Sequence, residues 1–246
     1  TKEKKKPYMK NIAVILAGGS GTRLGENYPK QLLQIAGKSV IEYTLDVFEK
    51  HPLIHEIFIV ANSGYIQNIQ DIVTAGKYQK ISRILAGGKE RYESSWNAIR
   101  ACKEKECNLI FHDSVRPLVS ERILTDCIEA LKTYNAVDVA VPTTDTVIQI
   151  NENNIIRHIP QRSTLRNSQT PQAFRLSVIK KAYRKALEDP RLQTTDDCGI
   201  VLRYLPGEPI YVVPGDTVNL KLTYKEDLYL LEKLLQLRFP HNTENK

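Results

Sequence analysis

The sequence predicts an α/β fold, a mainly parallel sheet with helices on both faces, and three observations carry that reading. Strand-length apolar runs alternate with segments of helical spacing from Asn11 to Pro117. Turns rich in glycine or charge follow several of those runs, where a parallel sheet gathers its ligands. From Ala136 the pattern changes to alternating segments around Asn151-Glu152-Asn153-Asn154, which predicts a β-hairpin arm over about residues 143–161. Together these describe a Rossmann-like domain with a protruding arm.

In order, Ile12 to Leu16 is a buried strand that runs directly into Ala17-Gly18-Gly19. Ser39 to Lys50 has helical spacing through Val40, Ile41, Leu45, Val47 and Phe48. Ile57 to Ala61 is β-branched and reads as a central strand, followed by a helix over Ile66 to Ala75 and a strand over Ile81 to Leu85. Gly87-Gly88 opens a second glycine turn. The next helix, Tyr92 to Lys103, puts Trp96, Ile99 and Cys102 on one side. Leu109-Ile110-Phe111 is the following strand and ends in His112-Asp113-Ser114-Val115-Arg116-Pro117. Asp138 to Pro142 is a strand, and Thr146 to Ile150 and Ile155 to Ile159 are the sides of the hairpin. Leu176 to Leu187 is helical, Ile210 to Val213 a late strand, and Lys225 to Leu237 a closing helix.

A chain of 246 residues is long enough for one large α/β domain, placed at residues 11–238. The hydrophobic fraction of 41% and charged fraction of 26% are those of a globular protein, and no apolar run is long enough to span a bilayer. Net charge is +7, but five lysines lie between Lys2 and Lys10, in a basic stretch that reads as a disordered leader over residues 1–10. The smaller remaining excess suits nucleotide and phosphate ligands. No motif with interleaved aromatics points to nucleic acid, and no membrane partner is expected. Cys102, Cys107, Cys127 and Cys198 lack the spacing of a zinc site, which makes reduced structural thiols the expectation. No apolar signal-peptide core follows the leader, so the expected compartment is the cytoplasm. Residues 239–246 read as a polar tail or the start of a linker to a further domain.

The loop after the first strand is built for an anion. Gly18, Gly19 and Gly21 take away side chains where main chain must approach phosphate oxygens, and they allow positive φ values that turn N–H groups inward. Arg23 and Lys30 then add fixed positive charge. The dinucleotide pattern G-x-G-x-x-G, begun at Gly19, fails at Leu24. The Walker pattern ending in Gly37-Lys38-Ser39 fails at Leu32.

Two later stretches reach the same sheet edge. Gly87-Gly88-Lys89-Glu90-Arg91-Tyr92-Glu93-Ser94 can offer backbone groups and a hydroxyl to a base and ribose, or be an ordinary strand-to-helix turn. Asp113 supplies a hard oxygen to Mg²⁺ or a hydrogen bond to a ribose hydroxyl. The structural alternative is an Asp113–Arg116 salt bridge tying the loop. His112 reads as structural.

These motifs occur in order with Tyr28-Pro29-Lys30-Gln31, Arg162 before Gln169-Thr170-Pro171-Gln172, Thr195-Asp196-Asp197, and Asn219-Leu220-Lys221-Leu222-Thr223. As a set they resemble the cytidylyltransferases that act on polyol phosphates, over essentially Asn11 to Leu237. The resemblance implies reaction of CTP with an alditol phosphate to give a CDP-alditol and pyrophosphate, with Mg²⁺ as cofactor. It implies that Arg23, Lys30, Arg162 and Lys221 are catalytic. It also implies that Leu16, Ala17, Gly18, Gly19, Gly21, Gly88 to Ser94, Asp113 and Ser114 hold CTP. Arg116, Thr146, Arg162, Thr170, Thr195 and Lys221 then hold the polyol phosphate, and the arm makes a homodimer in which Arg162 reaches the partner's site. Leu16, Ser114-Val115, Thr223-Tyr224-Lys225 and Asp227-Leu228-Tyr229 look like the ribitol-5-phosphate enzymes rather than the methylerythritol-phosphate ones. The other readings are a nucleotide-binding regulator on the same fold and a sugar-1-phosphate nucleotidyltransferase.

Overall fold

The computed structural model describes residues 9–19 and 28–238. The first strand, β1 (Asn11–Ala17), is buried along its whole length, and its alternating side chains divide the core in two. Ala13, Ile15 and Ala17 enter one layer with Ile41, Leu45 and Phe48 of α1 (Val40–Lys50). Ile69 of α2 (Ile66–Gly76) and Ile123, Leu124 and Cys127 of α4 (Glu121–Ala130) complete that layer. Ile12, Val14 and Leu16 enter the other, with Ala98 and Ile99 of α3 (Arg91–Ala101). It also takes Leu176, Ile179 and Tyr183 of α5 (Leu176–Leu187) and Ile200 and Val201 of α6 (Asp197–Tyr204). Helices therefore cover both faces, as a strand apolar on both sides requires.

The main sheet has seven strands. β4 (Glu56–Ala61), β5 (Ile81–Ala86), β6 (Asn108–Asp113), β7 (Ala136–Pro142), β10 (Arg166–Arg175) and β11 (Ile210–Pro214) join β1 in the order β11-β7-β10-β6-β1-β4-β5. β10 runs antiparallel to both neighbours, and the other pairings are parallel. This ten-residue strand is absent from the sequence reading because Pro171, in its middle, argues against a ladder. The ladder accommodates Pro171 through an irregularity in the β10–β7 register between Gln169 and Ala173. Helices α4 and α6 are likewise additions, each opened by a side-chain cap: Ser120 accepts from the Ile123 N–H, and Asp196 from the Gly199 N–H.

Two small sheets stand apart. β2 (Gln34–Ile35) and β3 (Lys38–Ser39) pair across Ala36 and Gly37, with φ values of 48° and 85°. Two positive φ values in a two-residue loop are the requirement of a type I′ hairpin, so Gly37-Lys38-Ser39 serves a turn. β8 (Gln149–Ile150) and β9 (Ile156–His158) form the predicted hairpin, with shorter strands than the sequence suggested and with Asn154 at φ 59° in its turn. Ile148, Ile150, Ile155, Ile156 and Ile159 on this hairpin are all exposed. The closing helix α7 (Lys225–Arg238) packs Leu231 and Leu235 beside Tyr43 and Leu222.

At the N-terminal boundary Lys10 pairs with Glu56 and Glu104, and its carbonyl accepts from the Asn108 N–H. The four cysteines are free and buried. No helix among the described residues is long and apolar enough to cross a membrane.

Candidate active site

A cavity of about 350 Å³ opens at the carboxyl ends of β1 and β6, where a doubly wound sheet places its ligands. Leu16, Gly18, Gly19, Lys30, Gly88, Lys89, Glu90, Arg91, Ser94, Asp113, Ser114 and Lys221 line it, all of them expected from the sequence, together with Gln31, Val115, Leu222 and Thr223. Gly21 and Arg23 lie outside the described residues.

The glycines act by space. Among the described residues the positive-φ glycine is Gly37, so Gly18 and Gly19 do not use the left-handed freedom expected of them. A Cβ on Gly19 would meet no atom of the described residues within 4 Å, and Gly19 lines the cavity. Gly88 answers to the protein instead: a Cβ there would stand 2.2 Å from Glu93 Cβ. Glu93 is fixed because it caps α3, accepting from the Glu90 N–H at 2.9 Å. Ser94 Oγ accepts from the Gly88 N–H at 3.1 Å and so ties the turn to the helix it opens.

Gln31 is a supporting residue of the site whose task the sequence pattern does not reveal. It is buried, and its Nε2 donates to the carbonyls of Ala17 at 2.7 Å and Gly19 at 3.2 Å. It therefore fixes the start of the glycine loop against the strand. Nothing in the sequence marks it out, because its burial and its two acceptor carbonyls come only with the fold. Lys30 Nζ donates to the Thr223 carbonyl at 2.5 Å, which brings the loop after β1 to the segment before α7.

Asp113 is the electrostatic centre. Its Oδ2 accepts from Lys221 Nζ at 2.7 Å, and its Oδ1 lies 3.6 Å from Arg91 Nε. Burial raises its pKa, but the Arg91 and Lys221 charges overcome that and hold the carboxyl well below the usual carboxylate range. The alternative Asp113–Arg116 salt bridge is replaced by these two pairs. Arg116 is partly exposed and donates to the Asn219 carbonyl at 2.7 Å. Asn219 in turn donates to Gln169 Oε1 and the Thr170 carbonyl. Arg116 thus shapes the backbone leading to Lys221.

Behind Asp113 runs one consistent hydrogen-bond chain. Thr170 Oγ1 accepts from the Asp113 N–H at 3.1 Å and contacts His112 Nδ1 at 3.0 Å, and His112 Nε2 contacts the Arg116 carbonyl at 3.1 Å. A carbonyl only accepts, so Nε2 carries the proton and Nδ1 accepts from Thr170. Burial pushes the His112 pKa down to about 4, and the ring is neutral and structural. Thr170 sits in this supporting layer, outside the cavity lining.

The remaining expected residues lie elsewhere. Ala17 is buried in β1, and Tyr92 and Glu93 line an adjoining cleft with Trp96 and Asn97. Thr195 is exposed before α6. Thr146 is exposed ahead of the β8–β9 hairpin, and Arg162 is exposed after it, its Nη1 donating to the Thr144 carbonyl at 3.0 Å. Neither contributes to the cavity of its own chain.

Comparison with known proteins agrees with this geometry. The family model described as 2-C-methyl-D-erythritol 4-phosphate cytidylyltransferase matches residues 11–237. The protein of that name from Thermobifida fusca is 43% identical over 230 residues, 91% of this chain and 92% of its own length. The bifunctional ribulose 5-phosphate reductase/CDP-ribitol pyrophosphorylase of Haemophilus influenzae is 44% identical over 239 residues, 96% of this chain. This chain spans about half (50%) of the length of that relative. Among solved structures, 4-diphosphocytidyl-2C-methyl-D-erythritol synthase from Anaerococcus prevotii superposes with a TM-score of 0.82 at 31% identity, covering 93% of this chain and 99% of its own. The 2-C-methyl-D-erythritol 4-phosphate cytidylyltransferase of Francisella tularensis gives 0.76 at 26% identity, covering 91% and 99%. A family match over nearly the whole domain, on a chain whose glycine loop, Lys30, Asp113 and Lys221 meet at one cavity, makes this chain a member of the 2-C-methyl-D-erythritol 4-phosphate cytidylyltransferase family.

Proposed function

We propose that this protein transfers CMP from CTP to D-ribitol 5-phosphate, giving CDP-ribitol and pyrophosphate. The observation that carries the reading is the cavity in which Lys30, Lys89, Arg91 and Lys221 surround a side-chain-free floor at Gly18 and Gly19. A triphosphate fits that concentration of positive charge and accessible main chain. In the reaction a phosphate oxygen of the polyol attacks the α-phosphorus of CTP. The bond from that phosphorus to the bridging oxygen breaks, and its electron pair leaves on pyrophosphate. Arg23 and Lys30 neutralise charge gathering on the leaving group, while Lys221 and the partner chain's copy of Arg162 hold the attacking phosphate. The attacking group is already anionic at neutral pH, so no general base is needed; positioning and electrostatic stabilisation suffice.

Among the described residues no group of three His, Cys, Asp or Glu side chains could cage a metal. Asp113 offers a single carboxylate. That donor set fits Mg²⁺, which is commonly held by one or two carboxylates together with substrate phosphates. When bound with CTP it supplies charge neutralisation at the phosphates, and Asp113 is the residue that would hold it. Chelation by EDTA should abolish turnover and added Mg²⁺ restore it.

Ribitol 5-phosphate is favoured because Leu16, Ser114, Val115 and Thr223, positions where this sequence looks like the ribitol enzymes, all line the cavity. The second reading, 2-C-methyl-D-erythritol 4-phosphate, draws on the 43% identical relative of that name. The exposed isoleucines of the β8–β9 hairpin favour a homodimer, since pairing two copies buries them. The test is pyrophosphate release with four nucleotides against both polyol phosphates and a sugar 1-phosphate. The proposal requires CTP with ribitol 5-phosphate to give the highest kcat/KM. Activity with the sugar 1-phosphate alone would overturn it.

A further inference from the structure

Two carboxylates compete for Arg91. Its Nη1 donates to Asp197 Oδ2 at 2.7 Å, its Nε stands 3.6 Å from Asp113 Oδ1, and its Nη2 is buried with no hydrogen-bond partner among the described residues. Asp113 Oδ1 accepts no hydrogen bond among those residues, although Oδ2 is committed to Lys221. The guanidinium is a planar fork suited to a bidentate grip on one carboxylate. Here it leaves one nitrogen unpartnered and keeps only a loose contact with Asp113. Its close partner is Asp197.

Asp197 is completely buried at the first position of α6. Its Oδ1 accepts from the Tyr183 hydroxyl at 2.5 Å, and its N–H donates to Gln172 Oε1 at 3.0 Å. The Tyr183 ring stacks on Trp96 with centroids 5.8 Å apart and planes within 5°. Neither Asp197 nor Tyr183 lines the cavity, whereas Arg91 and Asp113 do. A buried charge away from the reacting atoms is costly unless it is paired, and this one is paired to a residue of the cavity wall.

We propose that Asp197, fixed by Tyr183, is a positioning residue for nucleotide binding that acts through Arg91. It draws the guanidinium off Asp113 and so leaves Asp113 Oδ1 open to the nucleotide or the cation it carries. Without the Asp197 charge, Arg91 closes onto Asp113 as a two-pronged pair and occupies that oxygen. The inference rests on the reading of the cavity as a nucleotide site.

The experiment is equilibrium binding by calorimetry with Mg²⁺ present. Wild type is first titrated with CTP, UTP, ATP and GTP, and the nucleotide that binds is then used for Asp197→Asn, Tyr183→Phe and Arg91→Gln, and for each of the first two combined with Arg91→Gln. Asp197→Asn should raise Kd at least tenfold. In the Arg91→Gln background the same change should alter Kd by less than about threefold, because no guanidinium is left to close on Asp113. Tyr183→Phe keeps every charge and should raise Kd about two- to fivefold, again only when Arg91 is present. It carries the test if Asp197→Asn does not fold. Kd increases that multiply in the double variants overturn the proposal, as does wild-type affinity in both Asp197→Asn and Tyr183→Phe. Binding of UTP in place of CTP would defeat the CTP reading while the Asp197 test still runs. Binding of no nucleotide would defeat both.

Discussion

Replacing Gln31 by leucine removes two hydrogen bonds while keeping a side chain of similar bulk in a buried position. The Ala17 carbonyl loses its 2.7 Å donor and, among the described residues, keeps the long 3.4 Å contact from the Asn62 N–H; the Gly19 carbonyl loses a 3.2 Å contact at the edge of the cavity. The Ala17 oxygen lies in the sheet, where water does not replace the donor, and a buried acceptor left short costs about 1–3 kcal/mol. The Gly19 oxygen borders open space and can be hydrated, so its share is small. A loss of about 2 kcal/mol corresponds to a fall in Tm of roughly 4–8 °C for a chain of this size. The same change frees the start of the glycine loop, so KM for CTP should rise more than KM for the polyol phosphate. Thermal unfolding followed by circular dichroism and initial rates with each substrate varied measure both effects. A Tm and a CTP KM equal to wild type would refute the claim that Gln31 holds the loop.

Three further outcomes are expected. Lys30→Ala should lower kcat by about 10²–10³, the scale for losing one contact that strengthens as charge develops; an unchanged kcat with only a raised CTP KM contradicts that role. Mixing inactive Arg162→Ala and Lys30→Ala chains under subunit exchange should restore activity, up to about half the wild-type level per heterodimer, because one of its two sites then carries neither defect. Confirmed exchange without activity removes Arg162 from the partner's site. The third concerns pH: the folded pKa of His112 lies below the unfolded value of 6.5, at about 4. The unfolded chain then binds more protons between those values, and the His112 contribution is full above 6.5 and lost as pH falls toward 4. The stability difference between wild type and His112→Gln in urea should shrink by about 2 kcal/mol from pH 7.5 to pH 5; a pH-independent difference contradicts the neutral, buried assignment.

Local pattern carried most of the fold. β1, α1, β4 and α5 were legible because their apolar spacing has one solution in a sheet covered on both faces, and α5 was placed at its observed limits. β10 was not, since a proline and the polar run Arg166 to Gln172 hide a strand whose ladder partners β6 and β7 lie far away in sequence. The cavity was legible where chemistry-bearing residues sit at strand ends: Gly18 and Gly19 after β1, Gly88 after β5, Asp113 at the end of β6. Pairings were less so. Asp113 has Arg116 three residues away, yet it pairs with Lys221 and Arg91, which only the tertiary fold brings close. Gln31, Asp197 and Asn219 were illegible as site support for the same reason, because a buried amide or carboxylate declares its task only when its partner is known.

The fate of the α-phosphorus distinguishes CMP transfer from hydrolysis. Wild-type protein is incubated with CTP labelled at that position, ribitol 5-phosphate and Mg²⁺, and the products are separated. CMP transfer puts the label in CDP-ribitol and releases an equal amount of unlabelled pyrophosphate, and Lys30→Ala slows both together. Label in free CMP, or transfer by Lys30→Ala at the wild-type rate, would contradict it.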